Sequence, residues 1–346
     1  MSDLVDKVGF ALIGCGSIGK VHAKIIDSLT EARLVAVVDS NVQVGNKFAQ
    51  QYSCSYYKDY QEMLLNASVD AVAICLPPGV HSEVTIAAAC AGKHVICEKP
   101  IDINVPRAQA MVDVCKKHGV KLGVIMQHRF DEPMLLLRKA IRDGLMGQLL
   151  WGASRTIWYR DREYFSNPQR GTWKYDGGGA LITQSVHYID LLMCVLGDAK
   201  CVSAKCRKLL HEQIEAEDIG VANVEFTNGA IGTIEGTTVA YPGLYAELSV
   251  FGEKGTVIIR NDHLLFYRFA DGVNPDFEAM LNPEKANQLN TSPAVDDASH
   301  TRQYIDFVKA VIEDREPAVT GEDALKSLHL IKSIYQASEE KREIFL

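Results

Sequence analysis

VGFALIGCGSIG, residues 8–19, opens as an apolar run and closes on three spaced glycines. Val8 to Ile13 has the length and composition of a buried parallel strand. Gly14, Gly16 and Gly19 then give the spacing G-x-G-x-x-G where that strand must turn into a helix. In such a turn the first glycine takes the tight bend and the second lets a pyrophosphate approach the backbone. The third allows close helix–strand packing. The amides of Ser17, Ile18 and Gly19, at the new helix N-terminus, would meet the phosphates. Leu34 to Asp39 reads as a second strand, ending in an acid twenty residues beyond Gly19. A carboxylate there accepts hydrogen bonds from ribose hydroxyls and repels a 2′-phosphate, which favours NAD over NADP.

Working outward, strand and helix signals alternate through the first third of the chain. Ile18–Leu29 has helical periodicity, and helical stretches near 42–51 and 59–66 lead to the strand Val69–Leu76. Pro77 and Pro78 stop that ladder. A helix at His81–Ala91, a strand at His94–Pro100, a helix at Val105–Lys117 and a strand at Leu122–Met126 complete the series. Repeated units of this kind give a doubly wound parallel sheet, an α/β Rossmann domain expected over residues 1–127. Ligands bind such sheets at the carboxyl ends of strands, which draws attention to Leu76-Pro77 and to Glu98-Lys99-Pro100. A lysine there can hold or polarise a hydroxyl; an ordinary strand-end ion pair is the competing reading. His22, on the first turns of the first helix, reads as a packing or surface residue.

Near Leu149 the pattern changes to alternating strands, at about 150–158, 200–208, 217–226, 230–239, 245–251, 255–260 and 264–269. Asn228-Gly229 is a hairpin turn signal. Residues 128–346 are therefore expected to form an α+β domain with a large, mainly antiparallel sheet, used for substrate binding and oligomerisation. Residues 271–298 read as a long polar loop, and helices over about 300–340 are expected to pack back toward the first domain. Within this half, Gly177-Gly-Gly179 precedes a helix on which Thr183, His187 and Asp190 share one face. Asp190, one turn on, could orient the His187 ring, making that histidine a candidate base.

Composition narrows the class. The chain has 346 residues, 47% hydrophobic and 23% charged, with a net charge of −8. That balance argues against nucleic acid or an anionic membrane as the main partner. No apolar run reaches the roughly 18 residues that span a bilayer. No cleavable leader is evident, and a cytoplasmic location is expected. The nine cysteines form no Cys-x-x-Cys pair, so reduced thiols and no metal site are expected.

The assembled motifs, GCGSIG at 14–19, Asp39, LPPGVHSE at 76–83, CEKP at 97–100 and GGGALITQSVHYIDLL at 177–192, resemble the Gfo/Idh/MocA oxidoreductases. The resemblance implies NAD as cofactor, held by Gly14, Gly16, Ser17, Ile18, Gly19, Asp39, Leu76, Pro77, His81, Glu98 and Lys99. It implies that Lys99 and His187 act on a substrate hydroxyl, with His187 taking the proton. Polyol dehydrogenases of the family carry an aspartate four residues before that histidine; here the position is Thr183. The stretch 160–192 is similar to nucleotide-sugar 3-dehydrogenases, such as those acting on UDP-N-acetyl-2-amino-2-deoxy-glucuronate, which have a neutral residue at this point. On that resemblance Arg160, Tyr164, Arg170 and Trp173 would receive a carboxylate or diphosphate. Thr183 is a further candidate substrate contact, and Arg129 would either bind substrate or only brace the cleft. A 2-oxo acid co-substrate and a homodimer or homotetramer are further expectations. The competing readings are a free sugar or polyol dehydrogenase, a redox-neutral NAD-dependent elimination or glycoside cleavage, and an NAD-binding sensor.

Overall fold

The structure, a computed structural model, describes residues 7–289 and 297–346. Residues 1–6, most of the polar lead-in, and 290–296, part of the expected loop, lie outside the described residues. The described residues form two compact units, 7–125 with 297–325, and 126–289 with 326–346.

In the first unit six strands form one sheet: β1 (Val8–Ile13), β2 (Ala32–Val38), β3 (Ser55–Tyr57), β4 (Ala71–Ile74), β5 (His94–Cys97) and β6 (Leu122–Val124). Their order is β3-β2-β1-β4-β5-β6, and every pairing is parallel. This is the doubly wound order, with its switch point between β1 and β4. β1 is buried along its whole length, as its unbroken apolar run requires. The helix Asp297–Ile312 supplies Tyr304, Phe307 and Val308 to the same core, with Phe10 packed 5.9 Å from Tyr304 and 6.3 Å from Phe307 between ring centroids.

The second unit is built on eight strands: β7 (Leu149–Ile157), β8 (Ala199–Arg207), β9 (Ile219–Phe226), β10 (Ile231–Thr237), β11 (Tyr245–Gly252), β12 (Gly255–Arg260), β13 (His263–Phe269) and β14 (Ile344–Phe345). The order is β13-β12-β11-β7-β10-β9-β8-β14, antiparallel throughout except for β7 with β10. Gly152 of β7 faces the helix Val186–Leu196; a side chain there would press on Leu192 and Leu196. With a period of two, Ser154 and Thr156 share that face, while Trp151 and Arg155 look outward. Asn261 and Asp262 both have positive φ, as a two-residue hairpin turn between β12 and β13 demands. The expected loop from 271 carries two short helices, Pro275–Met280 and Pro283–Ala286, each with proline in its first turn and an asparagine side chain capping it. Two Asn-Pro pairs were the signal, hidden by the polarity of the segment. All nine cysteines are free, and Cys90 is exposed. Among the described residues no helix is long and apolar enough to cross a membrane.

Candidate active site

The nucleotide loop follows from its glycines. Gly14 has φ +100°, and a Cβ on it would lie 2.5 Å from the Cys75 carbonyl oxygen. A Cβ on Gly19 would overlap the Gly14 carbonyl, so helix and strand meet there only through glycine. Gly16 faces open space, the vacancy a pyrophosphate needs. The helix Ser17–Ser28 has no side-chain cap and no acid in its first turn, which leaves its leading amides for an anion. Asp39 sits half-buried at the end of β2; it accepts the Cys15 amide at 2.9 Å and the Asn41 amide at 2.8 Å. A carboxylate has lone pairs to spare beyond two amides. These residues fit a dinucleotide.

Leu76 and Pro77 lie at the carboxyl end of β4, half-buried and exposed respectively. His81, expected on the cofactor, is instead fully buried, with its ring nitrogens 2.8 Å from the Leu76 carbonyl and 3.0 Å from that of Pro100. Its ring ties two strand-end loops together, which is a scaffolding position. Burial lowers its proton affinity, against the two carbonyl acceptors, which favour the proton. Glu98 is also inside. Burial alone would raise its carboxyl, but the hydrogen bond and charge of His22, with Lys99 and His300 nearby, hold it at about 2. His22 Nε2 is 2.9 Å from Glu98, and its Nδ1 is 2.6 Å from the Tyr304 hydroxyl. The other Glu98 oxygen accepts the Lys99 amide at 3.0 Å. His22 is thus a buried link in a polar chain that ends on the backbone of the half-buried Lys99.

In the second unit the glycine cluster approaches protein rather than leaving room for a ligand. A Cβ on Gly179 would overlap the Glu217 backbone, and one on Gly178 would overlap the Tyr335 ring. The Glu217 carboxylate accepts the amides of Gly179 at 2.8 Å and Leu181 at 2.9 Å, and the Tyr335 hydroxyl at 2.9 Å. Burial pushes this acid up to about 7 against those donors. Its carboxylate caps the turn Leu181–Ser185, which is π-helical and runs into the α-helix Val186–Leu196. Such wide turns recur at functional sites. Thr183 lies in this turn, with its hydroxyl on the Gly179 carbonyl at 2.8 Å.

Asp190 does not serve His187 as expected. Its oxygens take the Arg129 guanidinium in a two-pronged pair at 2.6 and 2.7 Å and the Ser327 hydroxyl at 2.9 Å. Arg129, expected either on substrate or as a brace, is buried in that pair and joins the turn Gln127–Phe130 to the helix. His187 is buried, edge-on to His128 with ring centroids 4.9 Å apart. Glu217 and His128 lie outside the quoted motifs and carried no sequence signal of their own, and Gln184, though inside the 177–192 motif, was not singled out by it.

The cationic and aromatic set is brought together in part. The Arg160 guanidinium lies 4.9 Å from the Tyr164 ring centroid and that of Arg170 4.0 Å from it. Gln184 links them, accepting from Arg160 Nη2 at 2.6 Å and donating to the Tyr164 hydroxyl at 3.0 Å. Burial lowers the proton affinity of Arg160, so an incoming anion meets a poorly hydrated cation. Tyr164, Arg170, Thr183, Gln184 and Glu217 line one small cavity. Trp173 belongs to another group, 5.3 Å from the Tyr335 ring and near Lys332.

Comparisons with known proteins identify the family. The Gfo/Idh/MocA oxidoreductase family model for the NAD-binding Rossmann fold matches residues 8–126, and that for the C-terminal alpha/beta domain matches 138–346. The chain is similar to the inositol 2-dehydrogenase of Rhizobium meliloti, 30% identical over 97% of this chain and 98% of that protein. It is similar to the myo-inositol 2-dehydrogenase of Thermotoga maritima, 29% identical over 97% of each. The solved WlbA dehydrogenase from Bordetella pertussis, in complex with NADH and UDP-GlcNAcA, superposes with a TM-score of 0.89 at 31% identity, covering 100% of this chain and 99% of that one. With both halves of the sequence matched and the nucleotide loop built as its glycines require, the chain belongs to the Gfo/Idh/MocA family of NAD-dependent oxidoreductases.

Proposed function

We propose that this oxidoreductase oxidises the 3-hydroxyl of a UDP-linked N-acetylhexosamine, or of its uronic acid, to a ketone. The coarser statement needs no proposal: the family and its cofactor domain make the chain an NAD-dependent enzyme acting on a sugar or polyol CH–OH. What supports the finer one is the neutral Thr183 four residues before His187, together with the two arginines, Arg160 and Arg170, gathered on the Tyr164 ring. A free polyol offers no anion to two arginines; a nucleotide sugar offers a diphosphate, and its uronic acid a carboxylate.

Bound NAD supplies a hydride acceptor. Gly16 and the open N-terminus at Ser17 and Ile18 would hold its pyrophosphate, and Asp39 its adenosine ribose. Lys99 orients the substrate hydroxyl, its backbone fixed through Glu98. His187 takes the hydroxyl proton as the carbon loses hydride and the C=O bond forms, so charge and atoms balance. Arg160 and Arg170 carry the substrate's anionic groups, presented on the Tyr164 ring.

The test is NADH formation with UDP-N-acetylhexosamines and their uronic acids against free inositols and hexoses, with 2-oxoglutarate added in parallel to reveal cofactor recycled in place. Turnover confined to UDP-sugars is expected. Turnover with a free polyol would overturn the substrate and favour the inositol reading that the sequence relatives suggest. Silence with every substrate would favour a redox-neutral enzyme or a sensor.

A further inference from the structure

His128 stands against His187, and nothing in the reaction above uses it. It lies in the short turn Gln127–Phe130, and it is buried. Its Nδ1 is 2.7 Å from Asp131 and 3.0 Å from Asp262. The Asp262 oxygen that meets it also accepts the Tyr188 hydroxyl at 2.9 Å, one residue beyond His187. One ring nitrogen between two carboxylates must carry a proton, and both acids favour the doubly protonated, cationic ring. Burial opposes that charge, yet the two carboxylates outweigh it and raise His128 well above the usual histidine range. Asp262 is lowered in turn: burial would raise it, but the His128 charge prevails.

We propose that the positive charge of His128 offsets the carboxylates of Asp131 and Asp262 and so keeps the neighbouring His187 less basic, available as a proton acceptor. The two rings are 4.9 Å apart and meet edge to face, within the range where two positive charges repel strongly in a poorly hydrated interior. Protonating His187 beside an existing imidazolium is therefore disfavoured compared with protonating it beside a neutral residue. On the same turn and helix, Arg129 and Asp190 neutralise each other. On the β12–β13 turn, His263 neighbours Asp262. On the sheet, Gly152, Ser154 and Thr156 face the helix, while Arg155 looks outward with its partners Glu235 and Glu247. Asp131 and Asp262 pull His187 the opposite way, so their influence without His128 would make the histidine more basic still. His128 is a positioning residue in this scheme, acting on the base and not on substrate.

The inference rests on the proposed role of His187, and two readouts separate them. The first is NMR titration of histidine-labelled protein without substrate, with the His187→Ala spectrum identifying the His187 ring signal. In His128→Asn, which keeps a side-chain N–H donor but no charge, the His187 pKa should rise by about one to two pH units. The second is the acid limb of the pH profile of kcat/KM, which should move up by the same amount, while His128→Lys, restoring a cation, should bring it back. An unmoved His187 pKa in a folded His128→Asn overturns the proposal. A shifted NMR pKa with an unmoved acid limb leaves the charge effect standing and removes His187 as the base. Should His128→Asn fail to fold, the wild-type spectrum still decides: His128 must show both ring nitrogens protonated at neutral pH, and a neutral His128 ring overturns the proposal.

Discussion

Asp39 straps the glycine loop through Cys15, and on the proposed reading the same carboxylate takes the ribose hydroxyls. Asp39→Ala should weaken NAD binding and let NADP compete; the ratio of the two dissociation constants measures it, and an unchanged ratio would remove the acid from cofactor choice. His187→Ala removes the proposed proton acceptor, so turnover should fall by about 100-fold or more with NAD affinity kept. Isothermal titration beside steady-state rates separates the two effects. Glu217 makes a prediction about stability. Its carboxyl is raised from 4.5 to about 7 by burial, so the folded state binds a proton that the unfolded chain has released. Stability is therefore highest below pH 4.5 with respect to this group and declines as pH rises through 7. Thermal melts of Glu217→Gln should lack that decline; a wild-type slope retained in the variant would assign it elsewhere.

At the scale of elements, β1, β4 and β5 were legible as apolar runs closed by glycine or proline, β2 and β6 as apolar runs alone, and β7 to β13 because alternation marks a half-covered sheet. The short edge strands β3 and β14, three and two residues long, carry too little pattern to be read. The π turn at Leu181–Ser185 was not legible. Its residues have ordinary helical spacing, and the widening is imposed by Glu217, distant in sequence, holding the Gly179 and Leu181 amides. The glycine motif gave the nucleotide loop in full, whereas Asp190 misled: spacing put it beside His187, but a buried arginine claims a carboxylate more strongly than a histidine one turn away. That pair joins the turn carrying His128 to the helix carrying His187. Asp190→Ala would leave the Arg129 charge buried without its partner and should cost about 3 kcal/mol or more in denaturant unfolding. A loss under about 1 kcal/mol, the level of an exposed pair, would mean the turn is held by other contacts.

For the molecule as a whole, the outer face of the eight-stranded sheet carries Val221, Ile231 and Phe266, each over 40% exposed, beside the stacked Trp151 and Phe251. Their registers place all five on the side away from the helix. Apolar residues gathered on an open sheet face favour self-association. Sedimentation should find a homodimer or homotetramer, and Ile231→Glu should shift it toward monomer; a wild-type monomer would overturn this. The thiols, finally, have a practical side. Burial pushes Cys15, Cys97, Cys115 and Cys206 upward, the first and last two to about 12, and leaves them poor nucleophiles. Cys90, at the end of the helix His81–Cys90, is the exposed one. A maleimide dye should therefore attach there first, giving a single fluorescent reporter on the cofactor unit without stripping the chain of its native cysteines.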